Sequence, residues 1–570
     1  MKKRWKVTPV DRGLQEVLGQ KLSILPLTAQ LLINRGLVDC DKAFSFLRPS
    51  LADLHDPFLL KDMDRAVERT VAAIGKREKI AVYGDYDVDG TTSTALMYLF
   101  FREIGVDLSC YIPERITEGY GLNAGAVKLL ASEGVKLVIT VDCGSSNHDE
   151  IALANTLGVD VIVSDHHELP EVPPPACAVL NPKQKGCAFP FKGLAGVGVA
   201  FNFLMALRSR LRETGMLASK EPNLKQYLDL VCIGTVADMV PLVDENRILV
   251  SHGLKELGKT KRPGLVALKE SAGVKAGSID ADNIAFQIAP RINAAGRVER
   301  AMTALKLLIS ENPGEAAHLA SILNRENTSR QKLEEEIFRE ALEMLGDSPD
   351  RGIVLYSDGW HPGVIGIVAS RLVERFSKPT VMIAMDGTVG KGSARGVRSF
   401  DILDGLKSCS ELLLRFGGHK AAAGLTINRE NIERFKTGFF RYLNSSVTED
   451  DLTPEILLDS VVSLEEVDGR LLDEIGSLAP FGASNREPLL CISGADIVTS
   501  EVVGNKHLRV MVRQNGCSRS GIGFGLARLH PMKGEGYSVV FSPYVDEWQG
   551  TKNLKLRIKD VKEGCVNFLT

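Results

Sequence analysis

Long apolar runs are missing from the 570-residue sequence; none approaches the ~18 consecutive apolar residues that a membrane-spanning helix needs. The basic start, Met1-Lys2-Lys3-Arg4-Trp5-Lys6, is followed by no apolar segment of the kind a secretory signal carries. A cytoplasmic protein without membrane partners is therefore expected. Paired cysteines are missing too. The 10 cysteines stand apart with no C-x-x-C spacing, which excludes a zinc ribbon and leaves reduced, mostly buried thiols as the expectation. No G-x-x-x-x-G-K-[ST] segment occurs, so a P-loop motor is excluded. Nor is there a strong excess of one charge. The formal net charge of −3 argues against indiscriminate coating of nucleic acid.

What is present is a globular composition, 44% hydrophobic and 25% charged, in a chain long enough for three or four modules at ~150 residues each. Residues 1–75 carry short apolar helical patterns and proline turns, a helical lead-in with no visible chemistry. Over 76–310 the pattern becomes strand–helix repeats. Ile80–Tyr83, Leu108–Ile112, Leu137–Val141 and Val161–Val163 read as strands, and Thr91–Glu103, Asn123–Ser132 and Asn147–Leu157 as helices between them. Alternation of this kind predicts a parallel, doubly wound α/β sheet with its ligand site at the carboxyl ends of the strands. Residues 311–348 predict a connecting helix: Leu333, Ile337, Ala341 and Leu345 form one stripe, and Gly346-Asp347-Ser348-Pro349 is its stop signal. A second α/β module is expected over 349–445. Short strands with turn signals predict a small β-barrel over 456–570.

Three clusters of chemically active residues fall at successive strand ends. Gly84-Asp85-Tyr86-Asp87-Val88-Asp89-Gly90 follows the first strand, Asp142-Cys143-Gly144 the third, and Asp165-His166-His167 the fourth. Carboxylates that close repel one another unless cations neutralise them. Oxygen and imidazole ligands without thiolate suit Mn²⁺ or Mg²⁺. Two such ions ~3.5–4 Å apart can activate a water and stabilise in-line displacement at phosphorus. Asp238, in Gly234-Thr235-Val236-Ala237-Asp238-Met239, admits two readings: a further ligand or a helix-terminal cap. Gly193–Gly198 follows no clear strand and is read as packing before the Val199–Leu207 helix.

The second module differs in charge. Residues 351–443 hold 14 Lys and Arg against 8 Asp and Glu, an excess of 6 in a chain that is −3 overall. Its Lys391–Arg398 and Gly417–Gly424 segments read as basic, glycine-rich loops suited to phosphate.

The motifs Gly84–Gly90, Val141–Gly144, Ser164–Glu168 and Leu194–Gly198 closely resemble the DHH phosphoesterase superfamily. Ala289–Arg297, Trp360–Arg371 and Gly417–Gly424 narrow the likeness to its bacterial RecJ branch, over about residues 45–570. The resemblance implies a parallel-sheet DHH domain, a second α/β DHH-associated domain joined to it by the long helix, and a C-terminal OB-fold barrel. It implies an exonuclease that degrades single-stranded DNA processively from the 5′ end, releasing mononucleotides, in DNA repair and recombination. It further implies two Mn²⁺ or Mg²⁺ ions held by Asp87, Asp89, Asp142, His166 and Asp238. Asp85, His167 and His419 would act in catalysis, with Asp165 orienting the ligands from behind. Arg297, Arg371, Ser393 and Arg395 would hold the substrate. Single-strand binding protein and a helicase are the partners the likeness suggests, with the chain itself a monomer. Among Phe524, Tyr537, Phe541, Tyr544 and Trp548, some are expected to stack on bases and most to be core.

One departure stands out: many relatives carry His where Tyr83 stands, and a phenol is a poor Mn²⁺ ligand, so Tyr83 is expected to hold no metal. Two other functions compete. A phosphodiesterase for short oligonucleotides or cyclic dinucleotides is disfavoured by the barrel, since a dinucleotide needs no extended grip. A non-catalytic binding module is disfavoured by retention of every ligand.

Overall fold

The computed structural model describes residues 3–114, 118–217, 221–274, 279–298, 301–346, 350–548 and 551–564, without the side chains of 295–298, 301, 547–548 and 551–552. Asp347-Ser348-Pro349 of the expected helix stop, Gly550 of the last expected turn, and Cys565 lie outside the described residues. Two compact units emerge. The larger comprises Lys6–Gly296, Arg300–Ser321 and Leu457–Thr570; the smaller comprises Ile322–Ile456 with Met1–Trp5 and Arg297–Glu299.

The larger unit contains a sheet of strands β1 (Lys79–Gly84), β2 (Leu108–Tyr111), β3 (Val135–Val141), β4 (Asp160–Ser164) and β5 (Ala178–Leu180). They run parallel in the order β2-β1-β3-β4-β5. Apart from their first residues, β1 and β4 are buried throughout, as strands covered on both faces must be. Short β5 carried no sequence signal beyond Ala178-Val179-Leu180.

Strand register fixes where the chain leaves the sheet. Gly84 pairs with Val141, and Val141 with Ser164, so the three strands end in line. The next amides prolong the ladder: Asp85 N donates to Val141 O at 3.3 Å, Asp142 N to Ser164 O at 2.9 Å and Asp165 N to Leu180 O at 3.0 Å. Three aspartates therefore leave the sheet side by side. Helix α1 (Val88–Glu103) begins directly after the Asp-rich turn. Helices α2 (Gly196–Glu213), α3 (Leu228–Ala237) and α4 (Asp244–Lys259) are among those that pack in this part. Leu228–Val236 of α3 are all buried, as befits a helix apolar on every side.

The long helix α5 (Pro313–Leu345) runs 33 residues and passes from the larger unit into the smaller. There a mixed sheet forms from β6 (Ile353–Ser357), β7 (Thr380–Asp386), β8 (Val389–Arg395), β9 (Leu413–His419) and β10 (Ala422–Asn428), in the order β9-β10-β8-β7-β6. Only β6 and β7 pair in parallel. Helix α6 (Ile365–Phe376) packs with Ile337, Phe338 and Ala341 of α5 in one core, while helix α7 (Ile432–Ser446) buries Phe435 and Phe439 in another. The two basic glycine-rich segments are strands, not the loops their composition suggested. Glycine in them permits close packing: a Cβ on Gly392 would lie 2.7 Å from Leu425, and one on Gly418, at φ +144°, would lie 2.5 Å from backbone of Ala423.

The chain returns to the larger unit as a barrel of β11 (Leu490–Val503), β12 (His507–Gln514), β13 (Cys517–Gly523), β14 (Gly534–Trp548) and β15 (Thr551–Glu563). The order β11-β12-β13-β15-β14 is closed by pairing of β14 with β11. Its core also takes in Leu18, Leu31, Leu32, Ala43 and Phe46, so the lead-in helices Arg12–Leu22, Pro26–Ile33 and Cys40–Leu47 pack with the barrel. Only tertiary packing could reveal that partner, because the apolar face of a short helix does not name what covers it. Arg247 of α4 ties the lead-in to the end of the Gly469–Ser477 helix that precedes the barrel. Its guanidinium donates to the carbonyls of Phe46, Leu478 and Ser477, each at 2.8 Å, and lies 3.8 Å from the centre of the Phe46 ring.

Candidate metal centre

Asp87 caps α1, its Oδ1 accepting from Gly90 N at 3.0 Å. Asp89 lies in the first turn of α1 and is buried. Its carboxylate accepts from the amides of Gly196 (2.6 Å) and Val197 (2.9 Å), the start of α2. A helix N-terminus facing a buried carboxylate is a favourable arrangement. The approach is possible only at glycine: a Cβ on Gly196 would lie 2.7 Å from Asp142 Oδ1, and one on Gly234 would lie 2.8 Å from Asp89 Oδ1. Asp142 leaves β3 with φ +62°, a left-handed conformation that costs energy outside glycine and is common at functional sites.

His166 Nε2 lies 3.2 Å from Asp142 Oδ1, 3.4 Å from Asp238 Oδ2 and 3.9 Å from Asp89 Oδ2. Asp238 is the C-cap of α3, where the helix dipole disfavours a carboxylate and a nearby cation would be welcome. Behind these groups, Asp165 Oδ1 accepts from His166 N (2.7 Å) and His167 Nδ1 (2.8 Å), and Oδ2 from Ser145 N (3.0 Å). Three overlapping sets have their ligand atoms within 4.8 Å of one another: Asp89, His166 and Asp238; Asp85, Asp87 and Asp142; and Asp142, His166 and His167.

The electrostatics fit divalent cations. Burial, reinforced by the charges of neighbouring aspartates, pushes Asp89 and Asp142 well above the usual carboxylate range and Asp238 up to about 7. Burial and the neighbouring His167 push His166 down to about 4, so it offers a neutral imidazole. Asp165 behaves oppositely: burial would raise it, but His167 and Ser145 hold it well below the usual range. His167 is raised by its bond to Asp165 against the effect of burial. The buried atoms Asp142 Oδ1, His166 Nε2 and Asp238 Oδ2 have no hydrogen-bond partner. Buried polar atoms are seldom left so, and three converging within one cage are what ion ligands look like before the ion is counted.

The smaller unit holds a different site. Arg395 Nη1 lies 2.9 Å from Ser393 Oγ, and Nε lies 3.2 Å from Ser370 Oγ. A Cβ on Gly366 would meet Arg395 Nη2 at 2.8 Å and Ser393 Oγ at 2.9 Å, so both groups sit over the first turn of α6. A guanidinium, a hydroxyl and a helix N-terminus together have the chemistry to hold an anion. Arg371, on the same helix, is held by Glu334 (3.1 Å) and Glu335 (2.9 Å) of α5. His419 is exposed at the β9–β10 turn, its Nδ1 accepting from Ala421 N at 3.3 Å. Arg297 belongs to the helix Ala289–Val298, and its side chain lies outside the described residues.

Comparison with known proteins decides the family. The sequence matches the models of the DHH family N-terminal domain over 79–235, the DHHA1 domain over 350–445 and the RecJ OB domain over 458–560. It is 38% identical over 567 residues to the single-stranded-DNA-specific exonuclease RecJ of Bacillus subtilis (strain 168), covering 98% of this chain and 71% of that one. The chain belongs to the RecJ family. Two solved RecJ structures from Thermus thermophilus superpose on it. The complex with Mn²⁺ has a TM-score of 0.85 at 32% identity, covering 99% of this chain and 80% of that chain. The complex with Mg²⁺ has 0.80 at 30%, covering 99% and 79%.

Within the RecJ fold, the parallel-sheet DHH domain, the DHHA1 domain and the closed OB barrel are those expected from the sequence. The cage gathers Asp85, Asp87, Asp89, Asp142, His166, His167 and Asp238, with Asp165 behind. Asp85, expected in catalysis, offers a ligand atom alongside Asp87 and Asp142. Sequence reasoning missed the amides of Gly196 and Val197, having read that segment as packing; spaced glycines ahead of an apolar helix were the available signal. It also missed Tyr120, whose hydroxyl lies 3.0 Å from His167 Nδ1. Of the barrel aromatics, Phe541 and Tyr537 are core and Phe524 is 59% exposed beside His507; the Trp548 side chain lies outside the described residues.

Proposed function

We propose that this chain hydrolyses single-stranded DNA processively from its 5′ end, releasing mononucleotides, in DNA repair and recombination. The observation that carries the hydrolytic reading is the trio of unpartnered ligand atoms on Asp142, His166 and Asp238, set in a cage too anionic to stand without cations. Two Mn²⁺ or Mg²⁺ ions bound there would supply Lewis acidity and a nucleophilic water at neutral pH. Asp87, Asp89, Asp142, His166 and Asp238 would hold them, with Asp85 beside them in catalysis. Asp165 holds Nδ1–H and with it the direction of His167, whose side chain is 45% exposed and, when protonated, would donate from Nε2 to an anionic phosphate oxygen.

Polarity follows from the second site. Ser393 and Arg395, over the first turn of α6, suit a terminal phosphate, with Arg371 and Arg297 as further substrate contacts. His419, exposed at the β9–β10 turn, would offer a further imidazole to the substrate. Bases stack on exposed barrel aromatics such as Phe524. The protein works as a cytoplasmic monomer alongside a helicase and single-strand binding protein; no helix among the described residues is long and apolar enough to cross a membrane.

Digestion of a single strand labelled at the 5′ or the 3′ end, with Mn²⁺ and with or without a 5′ phosphate, tests the reading. Early release of the 5′ label as a mononucleotide, faster with the phosphate, is expected. Early release of the 3′ label would overturn the polarity, and equal rates on a dinucleotide and a long strand would overturn the exonuclease assignment.

A further inference from the structure

Tyr83, given no part in holding metal, occupies the end of β1 with its ring fully buried. It stacks on Tyr111 of β2, with centroids 5.2 Å apart and planes 14° from parallel. Its hydroxyl donates to Gly121 O at 2.9 Å and accepts from Asn123 Nδ2 at 3.3 Å. Asn123 Nδ2 also donates to Glu118 Oε1 (2.9 Å), which accepts from the Tyr111 hydroxyl at 2.7 Å. From the other side Asn147 clasps the same segment, its Oδ1 accepting from Leu122 N (3.2 Å) and its Nδ2 donating to Leu122 O (3.1 Å). A polar network this well satisfied behind a turn rigidifies it.

The turn carries one side chain to the metal centre. Gly119 (φ +84°) and Gly121 (φ +81°) flank Tyr120. Its hydroxyl lies 3.0 Å from His167 Nδ1 and 3.3 Å from Asp142 O, and its ring stands edge-on to the imidazole at 5.6 Å and 72°. With the Nδ1 hydrogen directed at Asp165, the Tyr120 hydroxyl donates to the Asp142 carbonyl and walls in the ring. An imidazole held by Asp165 alone can rock about that bond; a second contact at the same edge stops it.

We propose that Tyr83 is a positioning residue: through the Gly119–Asn123 turn it sets Tyr120 against His167 and so fixes the imidazole that meets the phosphate. This rests on the role given to His167 above. Side chains that fix a reacting group within a fraction of an ångström act on turnover more than on binding.

The test is a double-mutant cycle on a long single strand with saturating Mn²⁺, reading kcat, KM and melting temperature for Tyr83→Phe, Tyr120→Phe, the double variant and His167→Ala. Each single Phe variant is expected to lose roughly tenfold to hundredfold in kcat with KM within about twofold. The double variant should be no slower than Tyr120→Phe, because the path runs through Tyr120. Asn147→Ala, which loosens the turn without touching Tyr83, should give the same kcat signature and stands in if Tyr83→Phe folds poorly. Multiplicative losses in the double variant, a rise in KM at constant kcat, or wild-type turnover in both Tyr83→Phe and Asn147→Ala would overturn the positioning role. Wild-type turnover in His167→Ala would overturn the reading beneath it, which the Tyr variants alone would leave standing.

Discussion

At the carboxyl edge of β1, β3 and β4, aspartates and imidazoles are packed where water is scarce, and their directions come from backbone amides: Gly196 and Val197 hold Asp89, Gly90 holds Asp87, Ser145 holds Asp165. In the smaller unit, Ser393 and Arg395 are half-exposed over the first turn of α6, Arg395 donating to the hydroxyls of Ser370 and Ser393 and to the carbonyl of Ala394. The first site concentrates negative charge that only cations relieve. The second concentrates positive charge that an anion satisfies. A buried anionic cage needs rigid donors, because any slack leaves a carboxylate unpaired at a cost of several kcal/mol. A half-solvated cationic site tolerates slack, since water completes whatever the ligand does not. Damage to the cage should therefore appear in turnover, and damage to the basic site in affinity.

The largest effect is expected from Asp142→Asn, a substitution that keeps the left-handed backbone acceptable. Cleavage should fall by more than the ~100-fold that loss of an outer partner costs, while single-strand binding stays measurable. The same variant should lose the Mn²⁺-dependent rise in melting temperature, worth about 2.7 kcal/mol at one hundred times Kd. Calorimetry with and without chelator reads it. Asp165→Asn comes next: with its hydrogen bonds to His167 and Ser145 weakened, activity or metal affinity should drop about 10–100-fold, recovering in part at high Mn²⁺. Arg395→Ala should instead raise KM by roughly tenfold or more at nearly constant kcat, the loss of a charge-assisted bond worth ~1.5–3 kcal/mol. The salt dependence of binding should become shallower by about 0.7 in log–log slope, one phosphate contact fewer. Ser393→Ala is the mildest, about fivefold in KM from a neutral bond worth ~1 kcal/mol. A kcat defect in Arg395→Ala equal to that of Asp165→Asn would erase the contrast between the sites.

Much of the cage was legible because its residues are local. Asp85, Asp87 and Asp89 share one turn, Asp165, His166 and His167 another, and alternating strands and helices imply that such turns meet at one sheet edge. Asp238 was not legible in that way. It follows a helix apolar on all sides, and nothing in Gly234–Met239 says where that helix packs. The Gly-rich segments of the smaller unit were misjudged as loops because glycine weakens a strand signal, although here it lets neighbouring side chains close over the sheet.

By itself, then, the sequence determined the chemistry on offer: oxygen and imidazole ligands at strand ends, a basic second module and a barrel. Tertiary structure decided the partners. It set Gly196 amides on Asp89, brought Asp238 within 3.4 Å of His166, wrapped the lead-in helices into the barrel core, and tied Tyr83 through Tyr120 to His167. Periodicity and local motifs report what a residue can do within its own element. Which distant element it faces depends on packing summed over the whole chain, which no short window contains.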